Sequence, residues 1–239
     1  MWHENVEEFG QQIEPNSTFR FECGPELTCF GKCCSTEVTL TPYDIAGIRR
    51  HLRTDTDGFI SEHCQTYIDS RTGFPFVMLR QKDDATCIFL GPHGCDVYEN
   101  RPSCCRSYPL ARIVDEDGKT GTRSVKYHLQ KKADYCEGLG RGTEWTIAGY
   151  CDVNGLGPYD MANDLFLDVP FAFRDLPSAT RQDREIQTMV FEAVFNFDRF
   201  FAKYGQTFNC VVPENDHDMI ALVRNIALGL IEKIAGLKL

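Results

Sequence analysis

Eight of the twelve cysteines in this chain fall into a pattern: Cys23, Cys29 and the adjacent pair Cys33-Cys34, then Cys87, Cys95, Cys105 and Cys136. Thiolate sulfur is a soft ligand that selects zinc, copper(I) or iron–sulfur clusters. Eight thiolates exceed what one zinc ion or one cubane cluster needs. Either two four-sulfur sites form, or one site forms and the remaining thiols support it. Adjacent Cys33 and Cys34 favour more than one nucleus, because successive side chains on an extended backbone diverge. So many thiolates need compensating charge, for which Arg101 and Arg106 on either side of Cys105, and Arg141 after Cys136, are the candidates. Gly91, Gly94, Gly138, Gly140 and Gly142 would let backbone amides approach sulfur, a contact that tunes cluster potential.

Disulfides are the competing use of cysteine. Twelve cysteines in 239 residues is about 5%, below the roughly 8–10% of disulfide scaffolds. The start of the chain, MWHENVEEFGQQIEPN, has neither the basic nor the apolar region of a signal peptide. No apolar run approaches the length of a bilayer span. The expected compartment is therefore a reducing cytoplasm, where such clusters bind metal. A net charge of −10 argues against nucleic acid as a partner, and metal ions are the partners that the cysteines imply.

The elements that must carry these ligands are legible in outline. Thr41-Pro42-Tyr43-Asp44 is a helix start, with a capping hydroxyl, proline at the first position and an acid reaching back. Ile45, Ile48 and Leu52 give that helix a buried face. A second helix is expected from near Asp57, carrying Phe59, Ile60, His63, Cys64 and Tyr67. Phe74, Phe76 and Met78 read as a strand, and Leu110–Val114 with Thr122–Leu129 as a hairpin around DEDGKTG. Farther on, Ile186 to Tyr204 and Met219 to Ile234 carry apolar stripes at spacings of three and four. Pro213 and the run Glu214 to Asp218 place acids at the positive end of the last helix. Cys64, Cys104, Cys151 and Cys210 lie outside the pattern and read as small buried hydrophobes. His93 reads as a turn residue. The expected fold is α+β and mainly helical. An irregular cysteine-rich region, residues 1–140, with short strands and a hairpin, packs on a helical region, residues 141–239, as one structural unit.

The segments FECGPELTCFGKCCSTEVTLTPYDI, CIFLGPHGCDVYENRPSCCRSYP and YCEGLGRG together resemble the YkgJ-type cysteine-cluster family. Its hallmark is a CxxCxxCC segment followed by a C…C…RPxxCRxxP segment. Cys87, Cys95, Tyr98, Arg101-Pro102, Cys105, Arg106 and Pro109 follow the second segment closely, and Cys136 followed by glycines matches the last ligand. The first segment departs, with five residues between Cys23 and Cys29 and three between Cys29 and Cys33, where the family has two and two. The resemblance implies a zinc- or iron-chelating domain, often labelled as containing an iron–sulfur cluster. It makes Cys23, Cys29, Cys33, Cys34, Cys87, Cys95, Cys105 and Cys136 the metal ligands, with Arg101, Arg106 and Gly138 around the cofactor. The expected cofactor is an iron–sulfur cluster of the [4Fe–4S] type, with zinc as the alternative. The expected role is electron transfer or metal handling.

The same family includes flagellin lysine-N-methylases, so an S-adenosylmethionine-dependent enzyme is a second reading, and structural zinc a third. No methyl-donor loop is identifiable. Walker, HExxH and GxSxG motifs are absent, and Gly138-Leu139-Gly140-Arg141-Gly142 lacks the spacing of a dinucleotide loop.

Overall fold

Strand β2 (Thr18–Phe21) shows how the first part of the chain is built. Its residues alternate exposed and buried, so Phe19 and Phe21 point inward while Thr18 and Arg20 face water. The computed structural model describes residues 10–117, 120–130, 135–208 and 211–237. A short strand β1 (Gln11–Ile13) precedes β2. After it, a 3-10 turn at Lys32–Ser35 carries Cys33 and Cys34, and β3 (Thr39–Leu40) leads into α1 (Pro42–Leu52).

Helix α1 begins as the sequence implies. The Asp44 amide donates to the Thr41 hydroxyl, and the Asp44 carboxylate accepts from the Thr41 amide, a reciprocal capping box. Helix α2 (Thr56–His63) is capped by the Asp55 carboxylate, which accepts from the Gly58 amide. It ends earlier than expected. Cys64 and Tyr67 belong to strand β4 (Cys64–Ile68), which pairs antiparallel with β5 (Pro75–Leu79). Thr66, Tyr67 and Ile68 suit a pleated surface, and pairing with β5 outweighs the helical spacing.

The cysteine-bearing turns follow. Strands β6 (Leu90–Gly91) and β7 (Gly94–Cys95) form a minimal hairpin, and a second 3-10 turn spans Tyr98–Asn100. Helix α3 (Ser103–Ser107) then gives way to the antiparallel pair β8 (Leu110–Glu116) and β9 (Arg123–Leu129), whose other edge takes β1. Strand β10 (Leu139–Thr146) returns to pair with β2, with an irregularity between Leu139 and Glu144 where Gly140 and Gly142 hold positive φ. Strand structure thus continues past residue 140 into the stretch expected to be helical.

From there the chain is helical: α4 (Ile147–Val153), α5 (Leu156–Phe166), α6 (Asp168–Arg174), α7 (Ser178–Arg181), α8 (Arg184–Val194), α9 (Phe197–Phe208) and α10 (Asp216–Leu237). The apolar stripe from Ile186 to Tyr204 runs over two helices. Between them Asn196 is buried, accepting from the Thr56 hydroxyl at 2.9 Å and donating to the Asp57 carboxylate at 2.7 Å. A buried amide is held where it can bond across to α2, and the helix breaks there. The fold is α+β and mainly helical, as expected.

Two cores result. The larger runs from Val38 and Ile45 through Phe74 and Phe173 to Val223 and Ile234, so both sides of residue 140 contribute to it. Phe191, Phe195 and Phe200 pack within or against it rather than around a cofactor. The smaller core gathers Phe19, Phe21, Leu110, Cys136, Ile147 and Tyr150.

Candidate metal centre

Residues between β2 and the first 3-10 turn coil through successive tight turns. The amides of Leu27, Phe30, Lys32 and Cys34 each donate to the carbonyl three residues back, at 3.0–3.1 Å. This coiling takes up the wide spacing and returns Cys29 and Cys33 to the neighbourhood of Cys23. Cys136 reaches the same place from the far end of the segment. The four cysteines line one cavity, together with Phe21, Tyr108 and Tyr135. It leaves about 20 Å³ for the centre of a water-sized sphere, slightly more than the roughly 10–15 Å³ that one water needs.

Backbone contacts hold this arrangement. The Glu22 amide donates to the Gly138 carbonyl at 3.3 Å. A Cβ on Gly138 would lie 2.0 Å from the Glu22 carbonyl oxygen, so only glycine lets the two strands approach this closely. The Thr28 hydroxyl donates to the Glu137 carboxylate, and the Glu137 amide points at the Cys29 sulfur, 3.4 Å away. Cys29 and Cys136 are buried, Cys33 is half-buried and Cys23 is exposed at the rim.

The other four patterned cysteines gather beside it. The Cys87 amide donates to the Cys34 carbonyl at 2.6 Å, and the Leu90 amide to the Cys87 carbonyl at 3.0 Å. Leu90 pairs with Cys95 across the β6–β7 hairpin. Gly94 at the hairpin tip packs beside the Phe30 ring, with its φ at +116°. Cys105 is delivered by α3, whose first residue is anchored by Asp44. That carboxylate, 1% exposed, accepts from the Ser103 amide at 2.7 Å and the Ser103 hydroxyl at 3.3 Å, besides Thr41. One acid therefore ties the start of α1 to the turn bearing Cys105.

The thiols influence one another within these groups and also across them, since Cys33 raises Cys105 as well. Covering of its thiol first, then Cys33, Cys29 and Cys136, push Cys23 up to about 11. Burial raises Cys87, aided by Cys105 and Cys95, while the Phe89 amide bonded to its sulfur pulls it down. Cys95 is raised by burial and by Cys105, and lowered by the Val97 amide and Arg101. Cys33 and Cys34 share a hydrogen bond that brings Cys33 down to about 7 and raises Cys34. Cys34 in turn is raised by Cys105 and Cys87. Cys105 is raised first by its bond to Cys104.

The remaining sequence candidates are placed as follows. Arg101 stacks over the Tyr98 ring at 4.1 Å and lies near enough to Cys95 to favour its thiolate. Arg106 donates to the Asn154 carbonyl at 3.0 Å, the Glu99 carbonyl at 2.6 Å and the Tyr159 hydroxyl at 3.4 Å. Arg141 is exposed in the β10 irregularity. Amides reaching sulfur come from Glu137, Phe89 and Val97, residues that composition does not single out. His93 sits in the hairpin turn. Cys64 is buried in the larger core, Cys104 packs against it, and Cys151 packs against the smaller core. Cys210 lies outside the described residues.

Lys82, Tyr108 and Asp44 were not singled out as site residues from sequence. Lys82 donates to the Leu90 carbonyl and lowers Cys87. Tyr108 hydrogen-bonds the Cys136 thiol, which with burial raises its own pKa. A signal for Tyr108 lay in the RSYP stretch after Cys105, and for Asp44 in its place in the capping box.

The cysteines and the RPxxCR segment lie in order along one folded region. Residues 22–137 match the CxxCxxCC family. It is described as "Putative zinc- or iron-chelating domain", and the match supports metal binding in general for this region. No curated protein and no solved structure matches the chain. Among the described residues, no three His, Cys, Asp or Glu side chains close into a ready-made ion site, and no helix is long and apolar enough to cross a membrane. The thiols of Cys23, Cys29, Cys33 and Cys136 line their cavity without converging on an ion site. The donor set still fits the group: sulfur ligands, amides aimed at sulfur, and nearby cations that favour the thiolate form.

Proposed function

We propose that this chain is a metal-holding protein of the cytoplasm, in which Cys23, Cys29, Cys33, Cys34, Cys87, Cys95, Cys105 and Cys136 bind the metal as thiolates. One observation carries the reading: four cysteines, three from residues 23–33 and one from position 136, face a single small cavity. The Cys23 thiol supports it: burial and then its neighbours Cys33, Cys29 and Cys136 disfavour its ionisation, and a cation among them would reverse that. The nearness of Arg101 to the Cys95 thiol and of Gly138 to the cavity supports a role for both around the metal.

The favoured cargo is a [4Fe–4S] cluster used in electron transfer or metal handling. Sulfur-only ligation and amide-to-sulfur bonds support it, since such bonds tune cluster potential. Zinc is the second reading, favoured by the size of the cavity. Room for one water-sized body suits a single ion held by four thiolates at about 2.3 Å.

Protein purified without oxygen from iron-replete cells tests both. Brown protein with broad visible absorption that bleaches on reduction supports the cluster. Colourless protein with stoichiometric zinc supports the second reading. Protein devoid of either metal refutes the proposal.

A further inference from the structure

We propose that the eight thiolates form two separate four-sulfur centres, divided between the adjacent residues Cys33 and Cys34. Cys23, Cys29, Cys33 and Cys136 make the first centre, and Cys34, Cys87, Cys95 and Cys105 the second. The inference rests on the reading that these thiolates hold metal, and it goes further in fixing how many centres there are and which sulfur serves which.

Three observations carry it. First, Cys33 and Cys34 occupy a 3-10 turn. At three residues per turn, neighbouring side chains leave the axis about 120° apart. The two thiols still touch through a hydrogen bond, so the centres adjoin at this turn, and each sulfur leaves the backbone in its own direction. Second, the cavity wall contains Cys33 and three partners but not Cys34, whereas the backbone of Cys34 is bonded directly to Cys87. Third, the two groups rest on different cores. Cys136 is part of the smaller one, while Cys87 and Cys95 pack against the larger.

The second centre also explains the anchoring of α3. Cys105 must be presented from outside the loop system that holds Cys34, Cys87 and Cys95, and Asp44 fixes the start of the helix that presents it. Cys104, next to it, packs against the larger core while its thiol stays bonded to Cys105.

The test counts metal per chain, and sulfide where iron is found, in the full-length protein and in single and paired Cys→Ser variants. Cys29→Ser and Cys136→Ser should each lose about half of the wild-type metal, and the pair together no more than half. Cys87→Ser and Cys95→Ser should behave in the same way. Combining one from each set should remove nearly all. Cys33→Ser and Cys34→Ser should each remove half, and each should be non-additive with a different set. A single variant that empties the protein, or a within-set pair that loses twice what either loses, overturns the division.

A variant that does not fold would mimic total loss, so wild-type protein gives an independent count. Metal-free protein refilled with cadmium-113 should show two resonances of tetrathiolate character. One resonance overturns the two-centre inference while leaving metal holding intact. No cadmium bound, with no metal in the native protein, sinks both.

Discussion

Replacing Asp44 by alanine should cost stability and metal together. The carboxylate is 1% exposed and accepts four hydrogen bonds, from the Thr41 amide and hydroxyl and the Ser103 amide and hydroxyl. The two hydroxyls can turn to other acceptors, but the two amides cannot. Leaving two buried amides unpaired costs about 1–3 kcal/mol each. Removing a desolvated carboxylate, whose pKa burial raises, offsets part of this, leaving a net loss of about 2–4 kcal/mol. Asp44→Asn should lose less, because its carbonyl can still accept one amide. Urea denaturation of the metal-free, reduced protein, followed by circular dichroism, measures both. Metal analysis should show that Asp44→Ala loses the fraction that Cys105 holds and keeps the fraction that Cys29 holds. Unfolding within about 0.5 kcal/mol of wild type, the range of an ordinary surface change, would refute the anchoring role.

Gly138→Ala forces a Cβ to within 2.0 Å of the Glu22 carbonyl oxygen, a clash worth about 1–3 kcal/mol. It should lower the melting temperature and the metal held by Cys23 and Cys136, and normal values for both would show that the strands part freely. In metal-free protein, Cys33 should be the thiol alkylated first by iodoacetamide near neutral pH. The hydrogen bond from Cys34 holds the Cys33 pKa below the ordinary thiol value, while burial and neighbouring thiols hold Cys23 above it. Peptide mapping across about pH 6–9 decides it, and earlier labelling of Cys23 would contradict the pairing of Cys33 with Cys34. Arg106→Ala removes charge-assisted bonds to the Asn154 and Glu99 carbonyls, worth about 1.5–3 kcal/mol. The loss should appear in metal-free as well as loaded protein, with little rescue by lysine; a loss confined to loaded protein would mean that the charge acts on thiolates instead.

Local signals in the sequence were strong wherever a short-range rule applied. The Thr41–Asp44 capping box, the β8–β9 hairpin and the apolar faces of α8, α9 and α10 all depend on residues a few positions apart. Cys64–Ile68 misled because four apolar or sulfur-bearing residues happened to keep helical spacing, and the β5 partner that decides the matter lies seven residues beyond the strand. The break at Asn196 was hidden for the same reason, since its partners Thr56 and Asp57 are about 140 positions away. At the site, the types of the ligands were legible but their grouping was not. The sequence puts Cys33 beside Cys34 and far from Cys136, and the β2–β10 pairing places Cys33 and Cys136 around one cavity. Asp44 reads locally as a cap, and its second bond to Ser103 spans 59 positions.

The smallness of the core under Cys136 has a consequence for how the molecule breathes. Six buried residues hold that corner, against the long series that unites α1, β5 and the final helices. Regions with few buried apolar contacts open at lower free energy than the body they adjoin. Stripped of metal, the β2–β10 ribbon and the entry to α4 would open and reclose while the helical body stays shut. Amide hydrogens of Phe19, Phe21 and Trp145 would then exchange early, those of Ile45, Val190 and Val223 late, and a bound ion would slow the first group without changing the second.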